Sequence, residues 1–294
     1  MRYSLLTIVL VSLSVQQVVA IPPLVKRQQI DDATVLNFAL TLEHLENAFY
    51  QGALAKFDQK AFVAAGLPKY ARGRFSQVAE HEKAHVKFLS DALGNKATQP
   101  CTYDFPYTDP KSFAALSQVL EGVGTSAYTG AAQLISNKDY LTAAASVLAT
   151  EARHASWVAS AVNGFAGWSG PFDVPLDLNQ VYTLAAPFIT SCPSSNPALP
   201  VKAFPSLTLS KSAPGSRSSV AHKAEATATH IVFFTGLDKI FVPITDGEVE
   251  VPKGLSGQVY ALATSSGTEA NDSTTVAGPT ILSFEHDSNN NLIS

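Results

Sequence analysis

The chain has 294 residues, 46% of them apolar and 15% charged, with a formal net charge of −4. That is enough length and apolar content for a sizeable core and for two domains. The acidic balance argues against nucleic acid or an anionic membrane as partner, and no run beyond the N-terminus is apolar enough to span a bilayer.

Residues 1–20 have the pattern of a secretory signal: Arg2 gives a positive start, residues 5–11 an apolar run, and Val18-Val19-Ala20 a small-residue cleavage site. An uncleaved N-terminal anchor is the alternative. Lys26-Arg27 is a dibasic pair, and a second cut there would start the mature chain at Gln28. Losing residues 1–27 removes three bases and no acid, which takes the net charge to −7. The expected location is therefore extracellular or in a cell wall.

The first helix is expected over residues 31–55, capped by Asp31 or Asp32, with Leu36, Leu40, Glu43, Asn47, Tyr50 and Leu54 on one face. Gly66-Leu67-Pro68 marks a break, and a second helix follows over 69–93, ending at Gly94. Residues 100–109 are a Pro- and Tyr-rich connection. Asp109-Pro110 then opens a third helix reaching about residue 135, Asp as cap and Pro in the first turn. Asn137 or Asp139 opens a fourth, which runs to about 162 and stops at Gly164. Two shorter loops (56–68 and 136–138) and one longer connection suit a bundle with a crossover better than a simple up-down bundle. A shorter helix over 177–190 is expected to pack outside.

Composition changes after Cys192. Residues 193–225 are rich in Pro, Ser and Leu and read as a linker with one strand at 206–210. From 226 to 294 the pattern is β, with strands at 229–235, 240–244, 248–251, 258–264 and 280–285. Turn signals at Gly236-Leu237-Asp238, Asp246-Gly247, Lys253-Gly254 and Gly278-Pro279 separate them. The expected fold class is mainly α plus a β domain: a four-helix bundle within 28–192, followed by a small β-sandwich.

Each of the four helices carries an acid that matters. Glu43 and Glu121 are each followed seven positions later by a tyrosine, Tyr50 and Tyr128, and each precedes a Glu-x-x-His pair, Glu82/His85 and Glu151/His154. With 11 Glu in the chain, its seven His would show about 0.3 such pairs by chance. A Glu and a His three positions apart share a helix face and reach one point. Four helices turning these residues inward would bury four carboxylates and two imidazoles, a cluster that cannot ionise unpaired. Two divalent cations balance four carboxylates, so Glu43, Glu82, His85, Glu121, Glu151 and His154 are the expected metal ligands. Mixed carboxylate and imidazole donors suit Fe or Mn, and Zn is compatible. Glu46, one turn after Glu43, is an alternative or bridging ligand or an outer partner. Tyr50 and Tyr128 are expected either to hydrogen-bond ligand carboxylates or to pack as core aromatics. Glu80 and His81 are expected to face away or to support the ligands from outside.

The two cysteines, Cys101 and Cys192, are expected to pair, given the secretory context; free thiols are the alternative. Asn271-Asp272-Ser273 is a glycosylation acceptor.

The segments Leu42-Glu43-His44-Leu45-Glu46-Asn47-Ala48-Phe49-Tyr50 and Ala79-Glu80-His81-Glu82-Lys83-Ala84-His85 resemble the ferritin-like superfamily over about residues 31–192. The resemblance is to its secreted fungal branch, which groups stress-response and late sexual-development proteins with plant desiccation-related proteins. The stretch from Phe233 to Tyr260 is similar to the C-terminal extension of those fungal proteins. The resemblance implies a di-iron or di-manganese site at the six residues named above. It also implies chemistry drawn from iron oxidation and storage, peroxide removal, catalase activity or hydroxylation, with peroxide or oxygen as reactant. The secretory start and the β domain argue against a storage cage. A stress- or development-associated extracellular binding protein without turnover is the alternative from another class.

Overall fold

The structure is a computed structural model that describes residues 30–210, 212–289 and 291–293. The expected signal segment and the Lys26-Arg27 cut lie outside the described residues.

Chain order is α1 (Asp32–Lys56), α2 (Gln59–Ala64), α3 (Ala71–Leu93), β1 (Thr102–Tyr103), α4 (Pro110–Ala131), α5 (Lys138–Trp157), α6 (Leu178–Ala185) and β2 (Ile189–Ser191). Then follow β3 (Leu207–Leu209), β4 (Arg217–His222), β5 (His230–Thr235), β6 (Asp238–Pro243), β7 (Glu248–Glu250), β8 (Gly257–Thr264) and β9 (Thr275–Phe284). The helix ends follow from local chemistry. Asp31 accepts from the Thr34 amide at 2.8 Å, and Asp109 forms a capping box with Ser112 in front of Pro110. Asn137 caps α5, and Gly94 closes α3 at φ 57°, a left-handed value that an L side chain resists. A π-helical turn, Val158–Val162, extends α5.

In the bundle α1 packs chiefly on α3 and α4 on α5. The crossover between α3 and α4 adds β1, which pairs antiparallel with β2. The Cys101–Cys192 disulfide closes the same corner. His44, buried on α1, fixes the crossover through Nε2 to the Thr98 carbonyl at 3.1 Å. Residues 56–68 are more than a loop, since Asp58 caps the short helix α2 there and buries Phe62. The helix expected over 177–190 stops at Ala185, because Pro187 cannot continue it. Far from packing outside, α6 is inside the fold, with Leu178, Val181 and Ala185 in the main core.

The β part holds two antiparallel sheets, β3-β4-β7 and β6-β5-β8-β9. Residues 193–225, expected as a linker with one strand, contain two, β3 and β4. The alternation on the four-stranded sheet explains its apolar run: Ile231, Phe233, Val259 and Ala261 face the smaller sheet, while Val232, Phe234, Tyr260 and Leu262 join the helical core. Gly278-Pro279, expected as a turn, lies within β9. That strand is at the end of its sheet, where a missing proline N–H leaves no central ladder broken. Among the described residues no helix is long and apolar enough to cross a membrane.

Candidate metal centre

The bundle places Glu43 on α1, Glu82 and His85 on α3, Glu121 on α4, and Glu151 and His154 on α5. All four carboxylates are fully buried. They form two donor groups, Glu43, Glu82, His85, Glu151 and Glu82, Glu121, Glu151, His154, with the ligand atoms in each within 4.8 Å of one another. His85 Nδ1 is 3.3 Å from Glu43 Oε2 and 3.1 Å from both Glu82 Oε2 and Glu151 Oε1. His154 Nδ1 is 3.2 Å from Glu82 Oε1 and from Glu121 Oε2, and 3.8 Å from Glu151 Oε2. Glu82 and Glu151 thus each turn one oxygen to each group.

One imidazole N–H cannot serve three carboxylate oxygens. Accordingly Glu43 Oε2, Glu82 Oε1 and both Glu151 oxygens are buried without a hydrogen bond, although each lies near an imidazole nitrogen. Ligand atoms about 2.0–2.2 Å from a shared cation sit about 3.0–3.4 Å apart, which is the spacing of five of the six oxygens around the two imidazole nitrogens. Unsatisfied oxygens, hard donors and bridging carboxylates together fit a pair of divalent cations.

The electrostatics of the protein alone lead to the same conclusion. Burial raises Glu43 to about 8 and lifts Glu121 and Glu46 well above the carboxylate range, with like charge from Glu151 adding to each. Burial opposes charge on His85 and His154, yet the surrounding carboxylates raise both to about 12. Burial would raise Glu151 as well, but the neighbouring His154 and His85 imidazoles bring it down to about 2. Without metal, the cluster therefore neutralises itself with protons, and cation binding must displace them.

The tyrosines reach across. Tyr50 on α1 donates to Glu121 on α4 and bonds Ser117 Oγ at 2.7 Å. Tyr128 on α4 donates to Glu43 on α1 at 2.5 Å. Each tyrosine thus holds the carboxylate of the other helix, giving the site an approximate twofold pattern. Glu46 belongs to neither donor group. Its carboxyl borders Gly124 and a cavity of about 80 Å³ otherwise lined by apolar side chains. Glu80 faces solvent beside Lys83. His81 is tied to the site: its Nδ1 lies 2.9 Å from His154 Nε2, and the rings stack at 5.2 Å. No spacing rule singles out this partner, because an exposed histidine next to Glu82 looks like any solvated helix residue. Asn271 lies in the turn between β8 and β9, where its Oδ1 accepts from the Ser273 amide at 2.9 Å.

Comparison with known proteins agrees with the bundle. Residues 31–164 match the family model of the ferritin-like domain. Protein rds1 of Schizosaccharomyces pombe is 28% identical over 181 residues, 60% of this chain and 44% of that protein. The chain therefore spans less than half the length of the curated relative it matches. The family match, the bundle and the buried Glu/His cluster together support placing residues 31–164 with the ferritin-like superfamily.

Proposed function

We propose that this is a secreted protein of stress response that holds two Fe or Mn ions in the bundle and reduces peroxide or oxidises Fe(II). The observation that carries the reading is the division of Glu82 and Glu151 between two donor groups, each completed by one further Glu and one His. Glu43 and His85 complete one group, Glu121 and His154 the other. When bound, such an ion pair supplies Lewis-acid and electron-transfer chemistry.

The rest is the work of this chain's side chains. Tyr50 and Tyr128 aim Glu121 and Glu43 and leave their other oxygens for the cations. Bonding to His81 fixes which nitrogen of His154 faces the carboxylates. The apolar walls of the cavity beside Glu46 and Gly124 admit a small neutral oxidant and keep bulk water away from the carboxylates.

The test is a metal count on natively secreted protein, with peroxide consumption and Fe(II) oxidation measured beside Glu82→Ala. About two Fe or Mn per chain, with turnover lost in the variant, is the expected result. Metal-free native protein, or turnover equal in both proteins, overturns the proposal and favours a non-catalytic extracellular role.

A further inference from the structure

A cleft of about 210 Å³ separates α4 and α5 from the loop over residues 166–174 and the start of β8. It shares no lining residue with the carboxylate cluster. Gln118, Thr125, Trp168, Asp173, Gln258 and Glu285 supply its chemistry, and most of the remaining lining is glycine, alanine and serine.

Several of these groups are held in place. Gln118 donates to Glu285 Oε1 at 2.9 Å and accepts from Asn163 at 2.7 Å. The Gln258 side chain donates to the Tyr260 hydroxyl at 2.8 Å, and its backbone N–H donates to Ser169 Oγ at 2.9 Å. Close packing preserves the arrangement, since a Cβ on Gly122 would run into the Gln258 amide and one on Gly257 into Ser169.

Other groups lack a partner. Thr125 is 4% exposed and its Oγ1 has no hydrogen bond. No hydrogen bond or ion pair engages the Asp173 carboxylate among the described residues. Trp168 stands 72% exposed at the edge, in an irregular loop where its indole covers no core. A large aromatic surface left in water beside polar groups that converge on a cleft is the pattern of a binding site, and domain junctions are common places for one.

The lining selects the ligand class. It contains no Lys, Arg or His, which disfavours an anion, and its only branched aliphatic side chain is Val174, which disfavours an apolar molecule. Carboxylates and amides suit a neutral ligand rich in hydroxyls, and the negative face of an indole suits polarised C–H groups. We propose that this cleft binds a pyranose unit of a carbohydrate, its C–H face on Trp168 and its hydroxyls bonded to Asp173, Glu285 and Gln118. The inference is independent of whether the bundle carries metal.

Full-length secreted protein should be titrated with neutral cello-, laminari-, chito- and manno-oligosaccharides and with the corresponding free monosaccharides. Trp168 emission is the first readout and calorimetry the second, because Trp157, half-buried, packs edge-on against Phe75 and should not respond. At least one oligosaccharide series should give a saturable blue shift. Trp168→Ala and Asp173→Asn should each weaken binding about tenfold or more, with unchanged melting temperatures. Trp168→Phe should recover part of the affinity. Binding by oligosaccharides but not monosaccharides would identify a polymer as the source of the unit, and the reverse a free sugar. Silence across all series at millimolar concentrations, equal binding by Trp168→Ala, or a response to tetramethylammonium instead of sugars would overturn the assignment.

Discussion

Glu43 and Glu46 show how little separates a donor from a bystander. Both are acidic, both are buried on α1, and they stand one turn apart. Yet the oxygens of Glu43 face His85 and Tyr128, whereas Glu46 points at Gly124 and an apolar cavity. The seven-residue spacing to Tyr50 favours Glu43 in the sequence, but for a different partner: Tyr50 bonds Glu121, and Tyr128 is the residue that holds Glu43. Tyr128→Phe leaves Glu43 Oε1 buried without its donor. It should cost the metal-free protein about 1–3 kcal/mol in urea unfolding. A cost near zero would show that the hydroxyl does not position the carboxylate. His81→Ala frees the His154 ring to turn, so the metal content of the group containing Glu121 should fall while that containing Glu43 stays filled. One cation per chain in place of two is the expected count, and His81→Asn, which can still accept a hydrogen bond, should restore part of the second.

The helices were legible because their ends carry strong local signals. Asp31, Asp109-Pro110, Asn137 and Gly94 all cap where the sequence predicts. Elements lacking such signals were not legible. The strand β4 alternates small polar residues with little apolar content, and it is defined by its pairing with β3 and β7. Close approach between elements is equally hidden. Gly130 on α4 lies against the Leu176 backbone, and a Cβ there would overlap the Leu176 carbonyl. Gly130→Ala should therefore lower the melting temperature, even though alanine favours helix by about 1 kcal/mol over glycine. A raised melting temperature would mean that the 174–178 segment yields to it. The Cys101–Cys192 bond spans 91 residues and ties the crossover to the end of the α6 region. Cys101→Ala/Cys192→Ala should cost about 2–5 kcal/mol, read as a lower unfolding midpoint that is unchanged by reductant.

For the whole molecule, the helical core continues into one face of the larger sheet through Val232, Phe234, Tyr260 and Leu262, so bundle and β part share an interior. The charge cluster sets how that interior responds to pH. Glu43, raised to about 8, and His85 and His154, raised to about 12, bind protons in the folded state that the unfolded chain has already lost. Where the folded state holds more protons, stability falls as pH rises. Metal-free protein should thus lose melting temperature from about pH 5 through pH 8 and beyond. Glu151, lowered to about 2, acts the other way, its stabilisation disappearing as pH falls from about 4.5 toward 2. Added Mn(II) or Fe(II) should abolish the loss on the alkaline side by replacing the protons. A flat melting temperature between pH 5 and 8 without metal would rule out a proton-neutralised cluster.

The sequence by itself determined the helices, their caps and the periodic Glu and Glu-x-x-His donors, because helical geometry fixes which residues three or seven positions apart share a face. Only the tertiary structure decided which oxygens of Glu82 and Glu151 meet which imidazole. It also decided that the tyrosines serve opposite helices, that His81 supports His154, and that a cleft opens beneath Trp168. Those relations join residues far apart along the chain, and their distances are set by how helices and sheet pack together, which no local spacing encodes.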